Sequence, residues 1–211
     1  MPFHIVAAKQ EDAAQIARLH VQAFTSNVIM QAIYPSPSIW QELEKATETK
    51  ILDDIEHPQT TVLAALDVDE TSSASKVVGY AVWSHPVYKD TAALDPTRWK
   101  LPPGTDYNVL GPWRAETAKV ADCVIGRIPR YDLAWLVVSA AYVRRGIGTR
   151  LLRWGLDLCD SQNVPAYVES TVEAADDFYV KAGFEERDRI RLGVKGMMYE
   201  EVACVYVPRH E

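Results

Sequence analysis

LAWLVVSAAYVRRGIGTRLLRWGL, residues 133–156, joins an apolar run to two arginines, two closely spaced glycines and an amphipathic segment. The nearly continuous apolar character of residues 132–138 is typical of a strand that is covered on both faces of a sheet. Between residues 148 and 159 the apolar side chains recur at helical spacing. The stretch therefore predicts a buried strand that passes through a glycine-containing turn into a helix.

The turn VRRGIG, residues 143–148, combines features that favour anion binding. The first N–H groups of a helix have no internal partner, and the helix dipole places partial positive charge there. Glycine allows an anion to approach the backbone closely, and Arg144 and Arg145 add charge. A dinucleotide-binding GxGxxG motif would need glycine where Leu151 stands, and a Walker loop does not fit either. We expect this turn to bind a phosphate group.

Composition restricts the classes of protein to which the chain can belong. Its 211 residues carry a net charge of −7, which argues against general affinity for nucleic acid or anionic membranes. There is no apolar run long enough to cross a bilayer and no signal-peptide pattern at the start. The three cysteines show no CxxC spacing, and the five histidines show no metal-ligand spacing. We expect a cytoplasmic monomer or homodimer with no metal site.

Strands and helices are predicted along the whole chain from hydrophobic periodicity. Strands are expected at residues 3–7, 61–66, 77–83, 132–138, 166–170, 184–192 and 198–207. Helices are expected after Asp12, which would cap the first of them, after Ser38 and at residues 115–125, 148–159 and 173–182. The polar segment 67–76 should close a hairpin, and this order of elements implies an α/β fold with a mixed sheet and helices on both faces.

Two of the predicted helices have defined inward faces. The expected buried residues are Leu151, Leu152, Gly155, Leu158 and Cys159 on the first, and Ala175, Phe178 and Ala182 on the second. Gly183 follows at the position where a left-handed residue ends a helix.

Residues 84–131 are the least regular part of the sequence. Prolines recur throughout, at Pro86, Pro96, Pro102, Pro103, Pro112 and Pro129. Long connections of this kind are often functional, so the segment is open to two interpretations, a substrate-facing lid or packing against the core.

Two motifs resemble those of one enzyme superfamily. VRRGIG at residues 143–148 resembles the pyrophosphate-binding loop of the GNAT superfamily of acyl-CoA-dependent N-acyltransferases, Gln/Arg-x-x-Gly-x-Gly/Ala, with Val143 at the first position. YVKAGF at residues 179–184 matches the Tyr-x-x-x-Gly-Phe element that such proteins carry after the next strand. The resemblance covers residues 131–190, and residues 151–170 look like a fungal-type small member of the superfamily.

The resemblance implies a GNAT-like fold, with a mostly antiparallel sheet of about seven strands. Residues 1–211 would form a single N-acetyltransferase domain with a proline-rich insertion at 84–131. The cosubstrate would be acetyl-CoA. The main chain of the strand before the turn would bind the pantetheine arm and hold the thioester oxyanion, and the turn would bind the diphosphate. The implied cofactor-binding residues are Leu136, Val137, Val138, Val143, Arg144, Arg145, Gly146, Ile147, Gly148 and Thr149.

Two residues are the candidate catalytic groups. By resemblance Tyr179 is the general acid that protonates the leaving sulfur; alternatively it is a core residue beside Phe178. Glu169 is the candidate general base or amine-binding carboxylate; alternatively it is a solvated carboxylate at a strand end. His85 is a second candidate for the base. The pair Asp176-Asp177 either attracts a cationic substrate or lies on a solvated helix face.

These features predict an N-acetyltransferase that transfers the acetyl group of acetyl-CoA directly to a primary amine of a small molecule. An alkylamine has a pKa of about 10.4, so freeing its lone pair at pH 7 costs roughly 4.6 kcal/mol that a base or desolvation must supply. Two alternatives remain, acetylation of protein N-termini or lysines, and a non-catalytic acyl-CoA-binding module.

Overall fold

The computed structural model of the chain describes residues 3–68, 75–88 and 98–208. It contains one seven-stranded sheet. The strands are β1 (Phe3–Ala7), β2 (Thr60–Val68), β3 (Ser75–Ser84), β4 (Tyr131–Val138), β5 (Ala166–Thr171), β6 (Phe184–Val194) and β7 (Met197–Tyr206). The larger helices are α1 (Ala13–Phe24), α2 (Val28–Ile33), α3 (Pro37–Glu56), α4 (Tyr107–Val124) and α5 (Ile147–Gln162).

The strands follow the order β1-β2-β3-β4-β5-β7-β6 across the sheet. Every neighbouring pair is antiparallel except β4 and β5, which are parallel. Helices cover both faces: α1 and α3 pack on one face, α4 covers the β5–β7–β6 part of that same face, and α5 packs on the other. The predicted mixed, mostly antiparallel sheet of seven strands is therefore confirmed.

The central parallel pair comes apart soon after it begins. β4 and β5 are in register only at Tyr131↔Ala166 and Asp132↔Tyr167. β4 also carries a bulge at Ala134, because Val82 of β3 pairs with Trp135 while the next residue, Trp83, pairs with Leu133. A bulge bends a strand and turns its later side chains to the other face. The result is a gap in the middle of the sheet beyond Asp132.

The helix expected at residues 115–125 begins earlier than predicted. α4 starts at Tyr107, with the Asp106 carboxylate accepting a hydrogen bond from the Asn108 N–H at 2.9 Å, and it runs through Pro112. Proline normally ends or kinks a helix, which is why the sequence pattern places the start of this helix too late. α2 was not predicted, since its six residues are too few to show periodicity.

The last helical segment contains a π-helical turn that changes which side chains are buried. It comprises α6 (Val172–Ala174), a π turn (Ala175–Tyr179) and α7 (Val180–Ala182). A π turn adds one residue to the helical repeat. Ala175 is buried as predicted, but Phe178 and Ala182 are only half-buried and Tyr179 is buried instead. Gly183 has the expected left-handed conformation, with a φ of 100°.

Three smaller predictions have mixed outcomes. The β2–β3 hairpin is antiparallel as expected, although residues 69–74 of its connection lie outside the described residues, as do residues 89–97 of the proline-rich segment. On α5 Leu158 is half-buried and Leu156 is buried in its place. The Asp12 carboxylate accepts a hydrogen bond from the Lys9 N–H at 2.8 Å and does not cap α1.

Among the described helices, none is long and apolar enough to span a bilayer.

Candidate active site

The turn before α5 presents unpaired N–H groups to solvent. Arg144 and Gly146 both have positive φ, 62° and 78°, and the turn from Val143 to Gly146 is exposed. The first main-chain hydrogen bond of the helix runs from Arg150 N–H to Gly146 O at 3.0 Å. In the described part of the chain, no group accepts a hydrogen bond from the main-chain N–H groups of Ile147, Gly148 and Thr149. These groups form the positive end of the helix dipole.

Side chains around the turn hold it in place. Tyr142, which packs against the core, donates its hydroxyl to the Asp67 carboxylate at 2.6 Å, and the Arg145 guanidinium lies 4.8 Å from the centre of the Tyr142 ring. A Cβ atom added to Gly146 would meet open space. The turn is therefore a fixed, open cradle with two arginines, which fits an anionic group such as a diphosphate.

The gap beside β4 exposes one edge of that strand. Ser139 N–H donates to Val78 O on β3 at 2.8 Å. Since N–H groups alternate along a strand, those of Leu136 and Val138 point to the opposite side, into the gap. Val137 has its N–H on the β3 side, and its side chain is buried on the α1 face. Two of the three strand residues predicted to bind the cosubstrate thus offer N–H donors to the gap.

A cavity of about 450 Å³ fills the gap between β4 and β5. It brings together side chains from both faces of the sheet, because Tyr179 belongs to the core under α5 whereas Tyr167 packs on the α4 side. The lining residues include Phe24, Asn27, Ile29, Met30, Trp113, Asp132, Trp135, Leu136, Tyr167, Glu169, Thr171, Tyr179 and Glu201. Leu136, Glu169 and Tyr179, which are far apart in sequence, therefore line one space.

Tyr179 is placed as a donor rather than as a base. Its ring packs edge-to-face against Phe178 and Phe184, with centroids 5.0 and 5.4 Å away. Burial raises the pKa of the phenol well above its ordinary value, and the nearby Cys204 thiol raises it further. Its hydroxyl makes no hydrogen bond to any other described residue. A phenol that stays protonated beside a cavity can donate a proton or a hydrogen bond to a bound molecule.

Glu169 is a carboxyl group with a pKa shifted toward neutrality. It accepts a hydrogen bond from the Tyr167 hydroxyl at 3.2 Å. Burial raises its pKa to about 7, and the like charge of Glu201 adds to the increase. The Glu169 side chain is exposed to the cavity, and the protein groups packed around its carboxyl group oppose its ionisation. A carboxyl group of this kind is suited to general base catalysis near pH 7.

Glu201 is a further cavity residue, which the sequence pattern does not single out. It lines the same cavity, is 9% exposed and accepts hydrogen bonds from Tyr199 OH at 2.7 Å and Trp113 Nε1 at 3.2 Å. The available signal was strand alternation, which places Glu201 and its neighbour Glu200 on opposite faces of β7. Alternation alone does not tell which of the two faces the cavity.

The remaining histidine candidate lies away from the cavity. His85 contacts Thr61 Oγ1 through Nε2 at 2.8 Å, and burial lowers its pKa. His20 lies behind the cavity wall, with Nδ1 2.5 Å from the Tyr80 hydroxyl, and burial lowers its pKa to about 3. Neither is among the lining residues, so neither can take a proton directly from a molecule bound there.

The aspartate pair before Phe178 also lies outside the cavity. Asp176 and Asp177 are exposed, and Asp177 forms an ion pair with Lys181 on the next turn. This is the solvated helix face that was one of the two interpretations. Within the described ranges no cluster of three or more histidine, cysteine, aspartate or glutamate side chains could hold a metal ion.

The chain is similar to known acetyltransferases in sequence. Residues 112–186 match the family model of the acetyltransferase (GNAT) domain. An acetyltransferase of Stachybotrys chartarum is 28% identical over 185 residues, which are 84% of this chain and 78% of that protein. The probable acyltransferase SID5 of Ajellomyces capsulatus is 51% identical over 43 residues, 20% of this chain, and the match spans only 31% of that relative.

Solved structures of low identity share the fold over nearly the whole chain. A Corynebacterium glutamicum protein described as histone acetyltransferase HPA2 and related acetyltransferase is 18% identical, with a TM-score of 0.65 over 100% of this chain and 99% of that one. Mosquito arylalkylamine N-acetyltransferase like 5b is also 18% identical, with a TM-score of 0.65 over 98% and 100%. Arabidopsis thaliana NAA60, in complex with a bisubstrate analogue, is 13% identical, with a TM-score of 0.61 over 100% of both chains. The chain is therefore similar to the acetyltransferase (GNAT) domain over residues 112–186, and it shares its fold with these solved acetyltransferase structures over nearly its whole length.

Proposed function

We propose that this protein transfers the acetyl group of acetyl-CoA directly to a primary amine of a small molecule. The observation that carries the proposal is geometric: one cavity in the split sheet is lined by both the Glu169 carboxyl group and the Tyr179 hydroxyl. All described strands belong to one sheet, so we treat residues 1–211 as a single N-acetyltransferase domain with an insertion at 84–131.

The turn before α5 and the exposed edge of β4 would bind the acyl donor. Acetyl-CoA supplies an activated acyl thioester. The N–H groups of Gly146 to Thr149, with Arg144 and Arg145, would hold its diphosphate, while the N–H groups of Leu136 and Val138 would orient the arm and the carbonyl. The exposed Val143 adds only its main chain. Arabidopsis NAA60, a neighbour in fold, is also known in complex with acetyl-CoA.

Glu169 and Tyr179 would divide the proton transfers. Glu169 would take the proton that the acceptor amine must lose, and Tyr179 would donate to the departing sulfur. A free thiol has a pKa of about 8.5, so its thiolate leaves without strong assistance, and the larger demand falls on Glu169.

The size of the cavity favours a small acceptor over a peptide. A space of about 450 Å³ lies in the range of small-molecule sites, whereas a peptide needs an open groove. Trp113 of α4, within the proline-rich segment, forms part of the wall. Acetylation of peptides with free N-termini or lysines at a kcat/KM above that of every small amine would favour the protein-directed alternative.

The direct test is acetyl transfer by the purified protein. Acetyl-CoA is mixed with a panel of small primary amines, and release of the coenzyme thiol is followed with a thiol reagent. We expect release to depend on both protein and amine. Tight coenzyme binding without thiol release for any amine or peptide would instead support a non-catalytic acyl-CoA-binding module.

Substitution of Gly146 by Val should weaken binding of coenzyme A. The φ of 78° at this position suits glycine, and a β-branched residue would force the turn to change. We expect an affinity about tenfold lower in calorimetry, corresponding to about 1–2 kcal/mol of lost positioning. Gly193→Val is the matched control, because Gly193 lies in β6 beside open space without positive φ, and it should bind as the wild type does.

Substitution of Tyr179 by Phe should lower kcat about 10- to 100-fold and leave coenzyme affinity nearly unchanged. The phenyl ring keeps the packing against Phe178 and Phe184, so only the proton donor is lost. Tyr107→Phe, at an exposed position of α4, is the control. A Tyr179→Phe enzyme with wild-type kcat would remove Tyr179 from the chemistry.

A further inference from the structure

The second cavity carboxylate, Glu201, has no role in the reaction described above. In the antiparallel pairing of β5 with β7, Glu169 lies opposite Ala203 and Thr171 lies opposite Glu201. Glu169 and Glu201 are thus diagonal neighbours on one face of the sheet, within reach of a single small ligand group. Both line the cavity.

In the described part of the chain, the groups that donate hydrogen bonds to these two carboxylates are neutral. Glu201 accepts from Trp113 and Tyr199, and the Tyr199 hydroxyl itself accepts from Asn27 Nδ2 at 3.3 Å. Glu169 accepts from the Tyr167 hydroxyl. In the ranges 3–68, 75–88 and 98–208 no lysine, arginine or histidine forms an ion pair with either carboxylate.

The third acid of the cavity is different. Asp132 pairs with Arg130, whose Nε lies 2.7 Å from Oδ1. Buried carboxylates are normally paired in this way, because an isolated buried charge is costly. Among the described residues, Glu169 and Glu201 are therefore the two cavity acids that form no ion pair.

Apolar and aromatic side chains form much of the remaining cavity wall, beside the polar Asn27, Ser170 and Thr171. Phe24, Trp113 and Trp135 line it together with Ile29 and Met30. Aromatic faces attract cations as well as apolar groups. These side chains favour an acceptor that is a cation with an apolar body, and a carboxylate on the acceptor would be repelled by the two glutamates.

We propose that Glu201 is a specificity determinant that binds, together with Glu169, the ammonium form of the acceptor, so that the enzyme selects primary alkylamines on an apolar or aromatic body and rejects zwitterionic amino acids. The assignment rests on the proposed function. Glu201 fixes the ammonium group, and Glu169, at the more accessible position, removes its proton. Tyr199 and Asn27 act as positioning residues through Glu201.

Binding without turnover tests this assignment separately from catalysis. The probe is phenethylamine, titrated into the protein by calorimetry with and without coenzyme A but with no acetyl donor, and phenethyl alcohol is the uncharged comparison. We expect the amine to bind, the alcohol to bind at least about tenfold more weakly, and Glu201→Gln to lower the affinity for the amine about tenfold or more. Glu200→Gln, on the opposite face of β7 and paired with Arg191, should have no effect.

A second variant keeps the proposal testable if Glu201→Gln does not fold. Tyr199→Phe removes one donor to Glu201 and should weaken amine binding about threefold to tenfold. In turnover, Glu201→Gln should raise the KM for phenethylamine far more than it lowers kcat, and should leave the KM for aniline, which is neutral at pH 7, unchanged. A purely structural role for Glu201 would move both KM values together.

The outcomes separate the two proposals. Amine binding that depends on Glu201, without acetyl transfer, would support the ammonium site and contradict the proposed function. Acetyl transfer in which Glu201→Gln leaves the KM for phenethylamine unchanged would overturn the ammonium site and retain the proposed function. Equal affinity for the amine and the alcohol, or no binding of the amine under either condition, would also overturn it.

Discussion

Glu169→Gln should lower kcat for acetylation of an alkylamine about 100-fold or more, within the range that a positioned general base contributes. The amide keeps the shape of the side chain and can still accept from Tyr167, but it cannot take a proton. Coenzyme affinity should stay within about twofold, because the predicted coenzyme contacts are on the turn before α5 and on β4. Glu185→Gln, an exposed substitution on β6, is the control.

The pH profile gives the same prediction a second readout. A base with a pKa of about 7 is active when deprotonated, so kcat/KM should rise with pH and level off above about pH 7. In Glu201→Gln this rise should move to lower pH, since removal of the like charge leaves burial as the main cause that raises the pKa. In Glu169→Gln the rise near pH 7 should be absent. Wild-type kcat in that variant, or an unchanged profile, would contradict the role of Glu169.

Glu169 should also affect the stability of the protein, with a pH dependence opposite to that of its expected effect on activity. Its pKa in the folded protein is above the ordinary value for glutamate, so the folded state binds the proton more tightly than the unfolded state. Its contribution to the free energy of unfolding is therefore full at low pH and is lost as the pH rises from about 4.5 to about 7. The site is least favourable for stability at the pH where we expect it to be active.

Local chemistry explains why the glycine-containing turn before α5 could be predicted from the sequence. A buried strand, two arginines and Gly146 before a helix are consecutive, so their pattern is visible without knowledge of the fold. The helix at residues 107–124 shows the limit of the same method. In the sequence, Pro112 indicates a break in the helix, but the tertiary contacts of Leu110 and Val120 keep the segment helical through this residue.

Which side chains of β5 and β7 face the cavity depends on the register of the strands, and the sequence does not determine that register. The sequence does not show that β4 and β5 separate after Asp132, because both read as ordinary apolar strands. The role of Glu201 depends on which of two adjacent glutamates faces Glu169, and a one-residue shift of β7 would exchange them. Burial of Tyr179 depends on the π turn, which a regular 3.6-residue period does not predict.

Packing between α5 and the sheet leads to the largest expected effect on stability. Gly155 lies on the inward face of α5, against the fully buried ring of Trp83. A Cβ atom added at residue 155 would be 2.4 Å from both Cε2 and Cζ2 of that ring, far inside van der Waals contact. Both elements belong to the main core, so neither the helix nor the indole can move away without disturbing its neighbours.

Gly155→Ala should therefore lower the free energy of unfolding by about 2–3 kcal/mol, even though alanine is the better helix former. For a chain of this length that corresponds to a Tm lower by roughly 4–12 °C, measured by calorimetry or circular dichroism. Gly111→Ala is the matched control, since Gly111 is also helical but faces open space, and it should raise Tm slightly. Adding Trp83→Phe to Gly155→Ala should cost less than the sum of the two single changes, because the smaller ring makes room for the methyl group. A Tm for Gly155→Ala equal to or above that of the wild type, or strict additivity in the double variant, would mean that α5 does not pack on Trp83 at this distance.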